Sequence, residues 1–280
     1  MTLDHVVGHL RCPHCAADLR SDHPTLVCPA GHRYDVARQG YVNLLGGGAH
    51  TGTADTAEMV AARQAFFARG HFAPLIGAVA EQVEALGVAA PPGCVVDLGA
   101  GPGQYLAAVL DRLHDRVGLA LDLSKHAVRR AARAHPRIGA AVCDIWRPLP
   151  VRTDAAALVL DVFAPRNGEQ IARVLHPGGA LLVVTPTVDH LAEVVGPLGL
   201  LSVDDDKPAR VHRHLSPHLT LERETPVTFS MALSAADIAA LVAMGPSAWH
   251  ADHEQVARQV RDLREPLEVT ASVVMSVYRA

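Results

Sequence analysis

From residue 93 onward the chain alternates between two hydrophobic rhythms. Short, nearly continuous apolar runs, "CVVDLG", "VGLALDLS", "IGAAVCD", "AAALVLDVF" and "GALLVVTP", are separated by stretches whose apolar residues recur at helical spacing: "GQYLAAVLDRLHD", "SKHAVRRAARAH" and "NGEQIARVLH". Continuous apolar runs predict strands buried on both faces, and their alternation with helices predicts a mostly parallel α/β sheet covered on both sides. The C-terminal rhythm differs. "TPVTFSMAL" and "LEVTASVVMSVYR" flank a helical "SAADIAALVAM" and are expected to add strands at the sheet's edge. An antiparallel final strand fits, although the pattern does not fix its direction.

Upstream, "LLGGGAHTGT" at 44–53 has no periodicity and reads as a flexible connection. Asp55, with Glu58 three residues on, reads as a capping box that opens a helix carrying Met59, Val60, Phe66 and Phe67 and stopping at Gly70. A second helix starts near Pro74, carries Leu75, Ile76, Val79, Val83 and Leu86, and ends at Gly87.

The length of 280 residues at 49% hydrophobic suits one large domain, or one large and one small. No apolar stretch reaches the roughly 18 residues that suggest a membrane span, and the first ten residues lack the pattern of a secretion signal. The expected location is therefore the cytoplasm, with no membrane partner. A formal charge of −4 does not announce a nucleic-acid binder, although a local basic patch is compatible with it. Only Lys125 and Lys207 are lysines among the 25 cationic residues, a bias that fits a GC-rich genome.

In a reducing compartment a tight cysteine cluster points to metal or redox work rather than to disulfides. Cys12, Cys15, Cys28 and His32 spell C-x2-C-x12-C-x3-H, two knuckle-like pairs about a dozen residues apart. Four such donors suit tetrahedral zinc, and a shell without an open position makes the metal structural rather than catalytic. Cys94 and Cys143 fall within strands and read as small core residues.

The first apolar strand ends in "VVDLGAGPGQY", where Asp97 precedes Gly99, Gly101 and Gly103 at the mouth of a helix. This is not the dinucleotide spacing. It resembles the first motif of class I S-adenosylmethionine-dependent methyltransferases, a Rossmann-like fold in which glycines let the backbone approach the ligand closely. Asp122 ends the second strand, about 20 residues on, where a carboxylate can accept ribose hydroxyls. Asp144 ends the third, where that class commonly has an acid or polar group beside the adenine. Either acid alone reads as a solvated strand-end residue or a helix cap; three at consecutive strand ends reinforce the resemblance. "VLHPGGALLVVTP" adds the usual turn and fifth strand.

Together the cysteine module and the glycine motif resemble one family, the bacterial 23S rRNA guanine-N1 methyltransferases of the RlmA group. The phrases "YDVARQGYVNLL", "DTAEMVAARQAFFARGHFAPL", "TPTVDHLAEV" and "GPSAWH" carry the resemblance over nearly the whole chain. It implies zinc on Cys12, Cys15, Cys28 and His32, and places Phe72, Gly101, Pro102 and His190 around S-adenosylmethionine. Phe72 departs from the tyrosine frequent in this family, which keeps a ring stack and removes a phenolic hydrogen bond. Taken without the resemblance, Phe72 is a core aromatic and His190 a helix-start residue. The implied organisation is a zinc-binding RNA-recognition module at 1–45, a glycine-rich linker and helical connection at 46–92, and a catalytic domain at 93–280. The implied substrate is a hairpin loop of 23S rRNA. The GC-rich composition suggests the actinobacterial branch associated with resistance to tylosin-type macrolides. The family's dimers imply a homodimer, although nothing in the chain displays a self-complementary surface.

Methyl transfer from a sulfonium is an in-line displacement, so positioning is the main task. Guanine N1 must also lose a proton, which a nearby base or a contact polarising O6 would assist. Asp161, in "DVFAP" at the end of the fourth strand, is the candidate for the guanine edge, against the alternative of a structural acid. "DVFAP" is not the Asn-Pro-Pro-Tyr type used on exocyclic amines. The basic run "KPARVHRH" and the arginines Arg129, Arg130 and Arg133 read as a solvated loop and a solvated helix face. Two other readings share these features: a small-molecule methyltransferase, and a zinc-dependent RNA-binding or ribosome-assembly protein with a vestigial cofactor fold.

Overall fold

The computed structural model describes residues 2–46, 52–87, 92–204, 206–245, 258–260 and 265–280. The chain opens with two short 3-10 turns, Thr2–His5 and Val7–His9; Leu3 in the first and Val6 between them are buried. A small antiparallel sheet follows, built from β1 (Arg20–Asp22), β2 (Thr25–Val27) and β3 (Arg33–Asp35) in that order. β4 (Tyr41–Asn43) leaves this sheet and joins the large one.

Two helices come next, α1 (Ala57–Ala68) and α2 (Ala73–Ala85). The N-cap of α1 is Thr56, whose hydroxyl accepts from the Met59 N–H at 3.2 Å, and not Asp55. Asp55 instead pairs with the Arg63 guanidinium, and the expected capping box is replaced by the single Thr56 cap, since its N3 residue is Met59. Pro74 sits in the first turn of α2, where its missing N–H costs no helical hydrogen bond.

The apolar runs become β5 (Cys94–Leu98), β6 (Gly118–Asp122), β7 (Ile138–Val142), β8 (Ala156–Val162) and β9 (Leu175–Pro186). Between them lie α3 (Gln104–Arg112), α4 (Lys125–Ala131) and α5 (Gly168–Val174). Beyond β9 come α6 (Ala192–Val195), α7 (Lys207–Leu215), β10 (Thr220–Leu233), α8 (Ala235–Met244) and β11 (Leu267–Arg279). The strand order is β10-β11-β9-β8-β5-β6-β7-β4. Pairings from β4 through β9 are parallel, whereas β11 runs antiparallel to both β9 and β10. The antiparallel final strand is therefore present. β5, β7 and β8 are buried along their whole length, as doubly covered parallel strands require.

"KPARVHRH" is not a loop. It forms α7, because Val211 and Leu215, one turn apart, both reach the core while Arg210, His212 and Arg213 stay exposed. Arg129, Arg130 and Arg133 are exposed, on and just beyond α4.

The N-terminal segment is packed into the body of the molecule. Leu3, Val6, Leu10, Leu26 and Tyr34 share one core cluster with Leu119, Leu121, Leu149 and Val151. Gly139 on β7 makes this approach possible: a Cβ there would stand 2.1 Å from Val6 Cγ2. Among the described residues, no helix is long and apolar enough to cross a membrane.

Candidate active site and zinc ribbon

The carboxyl ends of the parallel strands bring the glycine loop and the strand-end acids together. Gly99, Gly101 and Gly103 have φ of 65°, 54° and 89°, backbone angles that side chains rarely adopt. At Gly99 space is equally decisive, since a Cβ would lie 2.6 Å from Ala164 Cβ on the loop after β8. This loop opens onto a cavity of about 570 Å³, within the range typical of small-molecule sites.

Of the residues expected at the cofactor, Phe72, Asp97, Gly99, Gly101, Pro102 and His190 line this cavity. Phe72 does so from within an aromatic cluster, with ring centroids 5.2 Å from Phe66 and 5.9 Å from Phe67. It serves the core and the cavity wall at once. His190 is oriented by its neighbour: Nδ1 accepts from the Ser272 N–H at 3.2 Å, leaving Nε2 to carry the proton of the neutral ring.

Gly103, Asp122 and Asp144 do not line the cavity. Gly103 starts α3. Asp122 braces the glycine loop, its two oxygens accepting from the N–H groups of Gly101 at 2.9 Å and Ser124 at 2.8 Å. Burial raises its pKa, and these two hydrogen bonds oppose the rise. Asp144 accepts from the Trp146 N–H at 2.9 Å.

Asp97 differs from both. Its Oδ2 is buried on the cavity wall without a hydrogen-bond partner among the described residues. Burial, reinforced by the neighbouring Asp122 and Asp161 carboxyls, holds its pKa well above the ordinary carboxylate range. A buried acid with an open oxygen fits a cationic ligand, which would stabilise the ionised form.

Asp161 is the candidate for the acceptor edge. It is fully buried, does not line the cavity, and accepts from Arg166 Nη2 at 2.9 Å. The same nitrogen donates to Ala164 O at 2.9 Å, so the pair fastens the loop after β8. On that loop Phe163 adopts φ of 56°, and the residue is 40% exposed at the cavity. For an aromatic residue such a backbone costs of order 1–3 kcal/mol and persists only where its surroundings enforce it. "DVFAP" marked the region, but no linear pattern identifies the residue that carries the strain.

Sequence reasoning also missed Arg63. Seated over the glycine loop, it pairs with Asp55 and donates to Met244 O at 2.7 Å, while Ser124 Oγ donates to Asp55 O at 2.6 Å. These contacts strap α1 between the glycine loop and α8. Near the end of α1, Asp237 accepts from Arg69 and Ser234 and lies against His71. Burial pushes its carboxyl up, but these hydrogen bonds outweigh it and hold the pKa well below the usual value.

The second site lies in the N-terminal sheet. The donor atoms of Cys12, Cys15, Cys28 and His32 all lie within 4.8 Å of one another. Cys15 Sγ to Cys28 Sγ is 3.6 Å, and His32 Nδ1 is 3.5 Å from Cys12 Sγ and 3.3 Å from Cys28 Sγ. A tetrahedron with Zn–S bonds of about 2.3 Å and Zn–N bonds of about 2.0 Å has edges of about 3.5–3.8 Å, so the four fit zinc. Burial opposes ionisation of Cys12, but the Tyr34 hydroxyl at 3.0 Å and the Cys15 and His14 N–H groups prevail, bringing the thiol to about 6. Each knuckle turns through a left-handed residue, Ala16 at φ 58° and Gly31 at φ 84°.

Fold and sites together define a class I methyltransferase sheet carrying a zinc ribbon. Residues 10–47 match the family model described as RlmA, N-terminal. The chain is 52% identical over 274 residues to the 23S rRNA (guanine(748)-N1)-methyltransferase of Streptomyces fradiae, covering 98% of each chain. A Micromonospora griseorubida protein assigned as a 23S rRNA guanine-N1 methyltransferase is 50% identical over 291 residues, again with 98% of each covered. A Bacillus subtilis protein with the same assignment is 28% identical over 259 residues, covering 88% of this chain and 89% of its own. The chain belongs to the 23S rRNA guanine-N1 methyltransferase family, and is an enzyme of that family.

Proposed function

We propose that this protein transfers the methyl group of S-adenosylmethionine to N1 of a guanine in a hairpin loop of 23S rRNA. The observation that carries the reading is the end-to-end match to the Streptomyces fradiae enzyme, which spans the ribbon and the cavity alike. S-adenosylmethionine supplies an electrophilic methyl on a positive sulfur, a leaving group that needs no acid. Phe72, Asp97, Gly99, Gly101, Pro102 and His190 would hold it from the cavity wall, with Gly103, Asp122 and Asp144 supporting from behind. Asp97 suits its positive charge, and the glycines admit it close to the backbone.

The acceptor must leave its stack to reach this cavity, which favours a loop nucleotide over a paired one. As the N–C bond forms and the S–C bond of the sulfonium breaks, the N1 proton departs to water. Asp161 acts on the acceptor through the loop it fastens. The division into an RNA-recognition module at 1–45, a connection at 46–92 and a catalytic domain at 93–280 accompanies this reading, as do action in the cytoplasm and a homodimer with the two ribbons framing the RNA. Light scattering of the purified protein tests the last.

Incubation of the zinc-loaded protein with labelled S-adenosylmethionine and a 23S hairpin transcript is expected to label the RNA and to create a primer-extension stop at one loop guanine. An unlabelled transcript, with cofactor binding intact, would falsify the reading. Resistance to tylosin-type macrolides is the accompanying phenotype. Expression in a susceptible host lacking its own enzyme is expected to raise the tylosin concentration needed to stop growth.

A further inference from the structure

Phe163 combines three properties that do not usually meet. Its backbone is left-handed, the residue is 40% exposed, and it lines the cavity beside His190, with ring centroids 5.6 Å apart. A large apolar side chain in a strained position gains nothing for the fold by facing solvent.

The strain is nevertheless enforced from several directions. Arg166, held by buried Asp161, donates to Ala164 O, and the Phe163 N–H donates to Val184 O at 3.1 Å. Ala164 also presses against Gly99 so closely that no other residue fits there. The backbone that carries the ring is thus set before any ligand arrives, and His190 stands beside the ring.

Its place in the fold points to one ligand chemistry. Phe163 follows β8, which lies on the far side of β5 from β6, ending in Asp122, and from β7, two residues before Asp144. An acid about 20 residues beyond a glycine loop is where a ribose is held, so a cofactor bound there would lie toward β6 and leave the β8 side of the cavity, where Phe163 stands, to the acceptor. We propose that Phe163 is the platform on which the extruded guanine stacks before methyl transfer. Stacking accepts any base, because every base has a π-face. Phe163 therefore contributes grip and alignment, and the choice of guanine rests on polar contacts elsewhere.

The proposal rests on the rRNA methylation reading and is tested by two variants of the full-length, zinc-loaded protein. Glycine tolerates the left-handed backbone, so Phe163→Gly removes the ring and leaves the loop in place. Its kcat/KM for the hairpin transcript is expected to fall ~10–100-fold, as loss of a base stack does, with the Kd for S-adenosylmethionine unchanged within about twofold. Phe163→Trp, which restores a ring, is expected to recover activity to within about threefold of wild type. In a hairpin carrying 2-aminopurine at the target position, the bound base is expected to fluoresce less with Phe163→Gly than with wild type, since without the platform it returns to the neighbouring bases that quench it. Undiminished kcat/KM in Phe163→Gly, weakened cofactor binding, or equal fluorescence with the two proteins would each overturn the assignment. A wild-type protein that methylates no RNA would instead remove the underlying reading, and this proposal with it.

Discussion

The ribbon and the sheet it abuts reach order by different routes. Each strand of the ribbon sheet has three residues, and β1 buries none of its side chains. In the large sheet β8 alone places seven consecutive residues in the core. Where burial is abundant, apolar area sustains the structure; where it is scarce, four metal ligands take its place. The two are nevertheless joined by one core cluster and by β4, so the ribbon has a second support that a free-standing zinc knuckle lacks.

Removing the metal is the strongest way to break this comparison. Chelation, or Cys12→Ser, is expected to lower RNA methylation by more than the ~10–100-fold that disturbing a metal's outer shell costs. The S-adenosylmethionine Kd should move less than about threefold, because no zinc ligand reaches the cavity. Parallel loss of both, followed by calorimetry and methyl incorporation, would show that the ribbon supports the entire fold.

The seam can be attacked without touching either site. Gly139→Val places carbon where Val6 already sits, and is expected to destabilise the protein by ~1–3 kcal/mol in chemical denaturation. Retained stability would mean that the N-terminal turns dock loosely.

A third measurement concerns the sheet alone. In the free protein Asp97 resists ionisation, and a bound cation favours it. Cofactor binding should therefore release a proton, with affinity rising by up to about tenfold per pH unit until the pH passes the raised pKa, then levelling. Titration calorimetry in buffers of different ionisation enthalpy reads the proton, and Asp97→Asn should flatten the pH profile. The same shift means that the cofactor-free protein loses folding stability as pH rises from 3.8 towards the raised value.

The smallest effect returns to the ribbon. Ala16 occupies a left-handed position that Gly31 fills in the other knuckle without strain. Ala16→Gly is expected to stabilise the holo protein by ~0.5–1 kcal/mol, measured by thermal melting, because the relieved strain exceeds the added chain entropy.

Local patterns made much of this legible. Doubly buried strands read as apolar runs, and the glycines, strand-end acids and metal ligands stand at diagnostic spacings. What eluded the pattern depends on contacts distant in sequence. Three residues at Tyr41–Asn43 are too few to reveal that they extend a sheet completed far downstream. Asp161 looked available because its partner Arg166 lies beyond a sharp turn, and neither residue announces the pairing. Asp55 looked like a cap until Arg63 claimed it. α7 was hidden by its charges, although Val211 and Leu215 hold the helical signal. The phrase "GPSAWH" falls, after Gly245, outside the described residues.

The short strand β4 also imposes an order of events on synthesis. The zinc ligands leave the ribosome first and can capture their metal while the rest of the chain is unmade. Tyr41 must then wait for Ala140, its partner in β7, before the edge can close. The non-local pairing makes this a late step of folding. A nascent chain stalled before β7 should therefore carry a metal-loaded but undocked ribbon.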